Sequence, residues 1–311
     1  MNVKRLIDSI NKRGIAGTIR MSLLRVRYFF LKRSELFRKT ADYLRGKSGI
    51  EIGGPSQVFT SRGIFPVYSI AGHLDNCNFG SVTVWEGHID EGYTFEFDRR
   101  KPKGRQFIAE ATDMKAIPSG SYDFVLSSHV LEHTANPILA LTEWIRVLKD
   151  DGVLVLILPH KDGTFDHRRP VTSLSHMQED YDARVGEADM THLPEILALH
   201  DFNLDPQAGG MEKFKNRSLR NQENRCLHHH VFDTKSAVEL VDHMGLQLVG
   251  VEPVYPMHIV VVAKKHGQGD GVNNQSIMTA LSNILRRSPF QSDKMLKSQL
   301  YMRRVSPNSR V

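Results

Sequence analysis

Two segments constrain the fold of this chain more than anything else in it: Glu51-Ile52-Gly53-Gly54-Pro55-Ser56, and about seventy residues later Tyr122-Asp123-Phe124-Val125-Leu126-Ser127-Ser128-His129-Val130-Leu131-Glu132-His133. The first reads as a buried strand running into a glycine turn, where a backbone without Cβ atoms lets a ligand approach closely. The second reads as another buried strand, a polar exit and then a helix. Two such strand ends, a crossover apart, place a nucleoside-like ligand across the carboxyl edge of a parallel sheet.

The pattern around them agrees. From Gly49 onward short apolar runs alternate with helical periodicity, the signature of a parallel sheet with crossover helices. The runs at 49–53, 67–71, 107–109, 124–127 and 153–158 are predicted strands. Over 138–148, Leu141, Ile145 and Leu148 fall on one stripe of a helix that faces the sheet. Residues 236–244 form a helix closed by Gly245, and 246–251 with 259–263 form an antiparallel pair. The fold class is therefore α/β: a Rossmann-like doubly wound sheet, mostly parallel, with a C-terminal antiparallel strand pair and a polar insertion after the fifth strand.

Residues 1–47 read as a basic helical arm, 48–265 as the main domain with its insertion at about 160–231, and 266–311 as a basic, flexible tail rich in Gly, Asn and Ser. The insertion holds eight of the fifteen histidines. A stretch that long outside the alternation serves as a lid or binding region.

Charge is uneven. Residues 1–48 hold 13 Lys/Arg against 3 Asp/Glu and residues 264–311 hold 9 against 2, so a net charge of only +6 leaves the middle strongly acidic. An acidic body is not a surface for duplex nucleic acid. A basic, aromatic N-terminal helix can instead rest peripherally on an anionic inner membrane. No apolar run approaches the roughly 20 residues of a membrane span, and Arg25 and Arg27 interrupt the best signal-like stretch, 23–31. Two cysteines, Cys77 and Cys226, make no disulfide framework. The expected compartment is the cytoplasm.

Taken together, these segments resemble class I S-adenosylmethionine-dependent methyltransferases. The likeness spans about 49–160 and resumes at 232–265, carried by Asp123-Phe124-Val125-Leu126, Leu131-Glu132-His133, Arg146-Val147-Leu148 and Asp151-Gly152. It implies S-adenosyl-L-methionine as cofactor, held at Glu51, Gly53, Gly54 and Pro55. Asp75, 22 residues past Gly53, is the expected partner of the ribose hydroxyls. Asp113, with Met114, is the expected partner of the adenine, and Ser128 opens the fourth strand onto the cofactor. The chain departs from the family's run in lacking a third loop glycine, and Pro55 removes an amide donor. The Gly-x-Gly-x-x-Gly of nicotinamide enzymes and the phosphate-cradling Gly-x-x-x-x-Gly-Lys are both absent.

Methyl transfer to a hydroxyl needs alignment and a base, and histidine is the natural base near neutral pH. His129 is the first candidate and His160, just past the fifth strand, the second; His167, with Asp166 as sequence neighbour, is the third. His133 reads as a cap or buttress. The Asp, Asn, His and Arg of the insertion suit a sugar or glycan acceptor. His200-Asp201-Phe202 and His228-His229-His230-Val231-Phe232-Asp233 are similar to runs in uncharacterised bacterial methyltransferase-like proteins associated with surface glycans. His192, Glu195, His200, Asp201, His228, His229 and His230 are metal-ligand types, but the favoured reading is a hydrogen-bonded polar lid without a metal. The rivals are a metal-dependent hydrolase or lyase built on that segment, and a degenerate fold that binds a glycan or a partner.

Overall fold

The computed structural model describes residues 33–267 and 271–296. In chain order the elements are α1 (Glu35–Thr40), β1 (Ser48–Ile52), β2 (His73–Asn78), β3 (Val82–Thr83), β4 (Gly87–His88), β5 (Gly92–Phe95), β6 (Gly104–Ile108), β7 (Tyr122–Ser128), α2 (Pro137–Val147) and β8 (Leu148–Pro159). The insertion follows, with α3 (Leu174–Asp182), α4 (Leu193–Leu199) and α5 (Met211–Ser218). Then come α6 (Thr234–His243), β9 (Gln247–Val254), β10 (His258–Lys264) and α7 (Gln275–Arg287).

Eight strands form one sheet in the order β5-β6-β2-β1-β7-β8-β10-β9, and β3 and β4 pair separately. The strands β6, β2, β1, β7 and β8 run parallel. At one edge β10 pairs antiparallel with both β8 and β9, and at the other β5 pairs antiparallel with β6. The strand order reverses at β1, with β2 and β6 laid down to one side and β7 and β8 to the other, and the crevice at the carboxyl edge of such a switch point is where ligands settle in open α/β sheets.

Both faces of the sheet are covered. On one, α2, α6 and α7 bury Leu141, Trp144, Val238 and Leu285 against Ile52, Val125 and Leu156. On the other, α1 and the 56–71 segment bury Leu36, Phe59 and Phe65 against Phe124 and Val155. Each such side chain contributes about 1.5–3 kcal/mol by leaving water. Helix α2 starts where Asn136 accepts from the Leu139 amide and Pro137 fits the first turn. Helix α6 starts at a capping box between Asp233 and Ser236.

Two expectations are corrected, and one falls outside the described residues. Residues 67–71 contain a 3-10 turn rather than a strand; the second strand is His73–Asn78, whose polar buried side chains hide it from an apolar reading. Residues 271–296 are not a loose tail, because α7 packs Leu281 and Leu285 into the core. The basic segment 1–32, including the proposed surface helix, lies outside the described residues. Among the described residues no helix is long and apolar enough to cross a membrane.

Candidate active site

The carboxyl ends of β1, β2, β6, β7 and β8 open onto one cavity of about 450 Å³. One half is walled by Gly53, Pro55, Asn78, Glu110 and Ala111, the other by His129, Glu132, His133, Phe165 and His228. The volume is within the range of nucleotide-sized ligand sites.

The first half is built around the turn after β1. Gly53 has φ +78°, the left-handed region, and a Cβ there would meet Val130 Cγ2 at 2.4 Å. A Cβ on Gly54 would meet the Glu51 carboxyl carbon at 2.3 Å and Asn76 Oδ1 at 2.8 Å. The missing side chain of Gly54 thus makes room for a brace beneath the turn, and only Gly53 and Pro55 of this turn line the cavity. Glu51 is part of that brace. It is wholly buried and accepts hydrogen bonds from the Ser56 amide and the Tyr68 hydroxyl. Burial pushes its carboxyl up to about 7 against those bonds. Asn76 completes the support: it accepts from the Gly54 amide at 3.0 Å and donates to the Gly54 carbonyl at 3.0 Å.

None of the three expected carboxylates, Glu51, Asp75 and Asp113, lines the cavity. Because β2 begins at His73, Asp75 sits in mid-strand, opposite Ile50, where it accepts from the Tyr122 hydroxyl and the Arg105 amide, each at 2.7 Å. The residue at the carboxyl end of β2 is Asn78. Asp113 points outward to Lys115 at 2.9 Å, and Met114 is buried in the core. The acid that leaves the end of β6 into the cavity is Glu110, paired with Arg225 of the insertion. Counting from the strand end, instead of from the glycine turn, singles out Asn78 and Glu110.

Ser128 lines the cavity at the end of β7, and His129 follows with φ +56°. A left-handed non-glycine residue is uncommon and marks a constrained turn. It swings the His129 ring so that Nε2 lies 2.9 Å from Nδ1 of His258, at the start of β10. Burial and the neighbouring His258 hold His129 well below the ordinary histidine value, and burial lowers His258 to about 4. Burial thus favours the neutral form of both rings.

The other two base candidates do structural work. His160 is fully buried, stacked on Phe290 at 3.8 Å between centroids, with Nε2 3.2 Å from Asp293. It pins the segment after α7, and it does not line the cavity. His167 binds Asp201 at 3.0 Å, not its sequence neighbour Asp166, and also lies outside the cavity.

The histidine-rich set does not converge either. Glu195 holds Arg169 at 2.7 Å, His200 stacks on Phe214, His229 meets Asn221 Nδ2 at 3.0 Å, and His230 faces the Ala135 carbonyl at 3.2 Å. His192 pairs with His176, Nε2 to Nε2, at 3.1 Å. Of these residues only His228 enters the cavity, with His133 4.5 Å away between ring centroids. Between them stands Glu132, wholly buried and raised to about 7 by that burial. Sequence reasoning quoted Glu132 only as part of a motif, since nothing in one sequence tells a buried carboxylate from an exposed one.

Residues 88–156 match the family model described as a methyltransferase domain. That match covers 69 of the 311 residues, within a sheet that is Rossmann-like: mostly parallel, with helices on both faces. No curated protein matches the chain. Among solved structures, the chain is similar to a putative S-adenosylmethionine-dependent methyltransferase from Listeria monocytogenes, with 15% identity, 74% of this chain and 96% of that one covered, and a TM-score of 0.42. A S-adenosylmethionine-dependent methyltransferase from Methanosarcina mazei gives 14% identity, 76% and 99% coverage and a TM-score of 0.41. One from Aquifex aeolicus gives 10%, 74%, 89% and 0.39 in the same order.

Proposed function

We propose that this methyltransferase transfers the methyl group of S-adenosylmethionine to a hydroxyl of a sugar or glycan precursor, with His129 as base. The residues present fit the cofactor: Gly53 offers bare backbone, Asn78 and Glu110 offer acceptors at the ends of β2 and β6, and Ala109 and Ala111 leave a flat apolar wall. When bound, the cofactor supplies an electrophilic methyl group on a positively charged sulfur. The observation that carries the reading is that one cavity joins this glycine turn to the His129–His258 pair.

The work left to the chain is positioning and proton removal. His129, through the ring nitrogen not engaged with His258, takes the hydroxyl proton as the oxygen gains the methyl group. His258 fixes the ring's orientation from the other side. Phe79 and Phe165 shield the cavity, and Trp85 of the β3–β4 hairpin sits at its mouth, 54% exposed and 5.3 Å from the His133 ring. An exposed aromatic face beside polar walls suits a sugar, which is apolar on one face and hydroxylated at its rim. A lipid-linked precursor would also suit the excess of basic residues in 1–48.

The test is transfer of labelled methyl from S-adenosylmethionine to a panel of sugars, nucleotide sugars and lipid-linked glycans. The proposal expects label on a hydroxyl of at least one, with kcat reduced about 10²-fold or more by His129→Ala. Labelling of nitrogen acceptors only would sink the hydroxyl assignment. Full turnover in the His129→Ala protein would sink the base.

A further inference from the structure

The acceptor half of the cavity holds a charge arrangement that methyl transfer alone does not explain. Glu132 is wholly buried, and neither carboxylate oxygen has a hydrogen-bond partner among the described residues. A buried carboxylate without bonds is costly. Two imidazole nitrogens lie close to it: His129 Nδ1 at 3.7 Å and His133 Nε2 at 3.9 Å from Oε1. Those separations are too long for hydrogen bonds. They are of the size that separates two ligands of one ion, where each donor lies about 2.0–2.2 Å from the metal.

The histidines are prepared from behind. His133 Nδ1 donates to the Leu227 carbonyl at 3.0 Å, which leaves Nε2 with its lone pair facing Glu132. His228 Nδ1 is bonded to Asp166, and Arg169 holds that carboxylate at 3.1 Å. Asp166 is therefore a partner that fixes the His228 tautomer and leaves Nε2 as the nitrogen with a free lone pair. Carboxylate and backbone-carbonyl partners of this kind stand behind metal-bound histidines. One ligand atom from each of Glu132, His133 and His228 lies within 4.8 Å of the others.

We infer that Glu132, His133 and His228 bind one first-row divalent cation, of the mixed nitrogen and oxygen preference of Mn²⁺, Fe²⁺, Co²⁺ or Zn²⁺, in the acceptor half of the cavity. The short 3-10 turn Leu131–His133 that follows β7 supplies two ligands, and the insertion returns the third across the cavity. Three protein ligands leave positions open toward the acceptor. A vicinal diol of a sugar chelates an ion held that way, which lowers the pKa of the attacking hydroxyl and brings it to His129. That role rests on the proposed methyl transfer; binding of the ion does not. A second group, His176, Asp180 and His192, has similar side chains, but none of its members lines the cavity. It serves as the control.

The full chain, stripped with a chelator, is dialysed separately against Mn²⁺, Co²⁺ and Zn²⁺, and bound metal is measured by elemental analysis, with the visible spectrum of the Co²⁺ form as a second readout. The wild type should hold one equivalent at this site. Glu132→Gln and His228→Asn should each weaken it at least tenfold, and Asp166→Asn about tenfold. Without metal, Glu132→Gln should melt no lower than the wild type, because it removes a buried charge that has no partner. If that variant fails to fold, the His228→Asn titration and the Co²⁺ spectrum decide. Absence of uptake of all three ions, or uptake that survives Glu132→Gln and vanishes in His192→Ala, overturns the site. Calorimetry with S-adenosylhomocysteine on the same samples separates the two ideas. Metal uptake without nucleoside binding sinks the methyl-transfer reading alone, and nucleoside binding without metal uptake sinks the ion site alone.

Discussion

The two halves of the cavity solve opposite problems. Beneath the glycine turn, Glu51, Asn76 and Asn78 are buried polar residues whose side chains are hydrogen-bonded to the turn and to one another. Across the cavity, both oxygens of Glu132, Glu187 Oε2 and His258 Nε2 are buried without a hydrogen-bond partner among the described residues. The first half keeps its shape without help. The second carries polar groups whose desolvation is unrecovered until something binds them. In the proposed assignment, rigid geometry sits in the half given to the cofactor, and unsatisfied chemistry in the half given to the acceptor.

The largest effect that sharpens this contrast is a pH dependence centred on Glu51. Its carboxyl is raised from 4.5 to about 7 in the folded protein, chiefly by burial. A raised carboxyl favours the protonated form in the fold, so its stabilisation is complete below about pH 4.5 and disappears as the pH climbs through about 7. Urea unfolding of the wild type and of Glu51→Gln, from pH 4.5 to 8, should show the variant gaining about 3 kcal/mol relative to the wild type across that window. Parallel pH profiles for the two proteins would mean that the brace is not buried as described.

The smallest effect falls outside both halves. Asp113→Ala removes only a half-exposed pairing with Lys115 and should change stability by less than about 0.5 kcal/mol. A large loss of stability or of cofactor affinity would put Asp113 back in the site and break the assignment of Glu110 to the end of β6.

The sheet was legible wherever strands are apolar on both faces. The runs that became β7 and β8 read correctly because buried parallel strands carry Val, Leu and Ile almost continuously. Strand β2 was misplaced because it holds Asn76 and, at its end, Asn78, which serve the turn and not the core. That one displacement carried the ribose assignment to Asp75, three residues short of the strand end. The tail was misread for a different reason: its Gly, Asn and Ser content hid the Leu281–Leu285 face of α7 and the Phe290 and Asp293 contacts with His160. His160 itself looked catalytic from its place after the fifth strand. Its partner lies 133 positions away in the chain, a pairing that no local pattern discloses. His129, the first candidate, directly follows the end of β7 and lines the cavity, where position in the fold and position in the sequence coincide.

Calorimetric titration of the full chain with S-adenosylhomocysteine tests the central claim most directly. The account predicts one binding event per chain at micromolar dissociation constant or tighter, roughly −8 kcal/mol, weakened at least tenfold by Glu110→Ala and unchanged by Asp113→Ala. Absence of heat in the wild type, or equal binding by the Glu110→Ala protein, would contradict it.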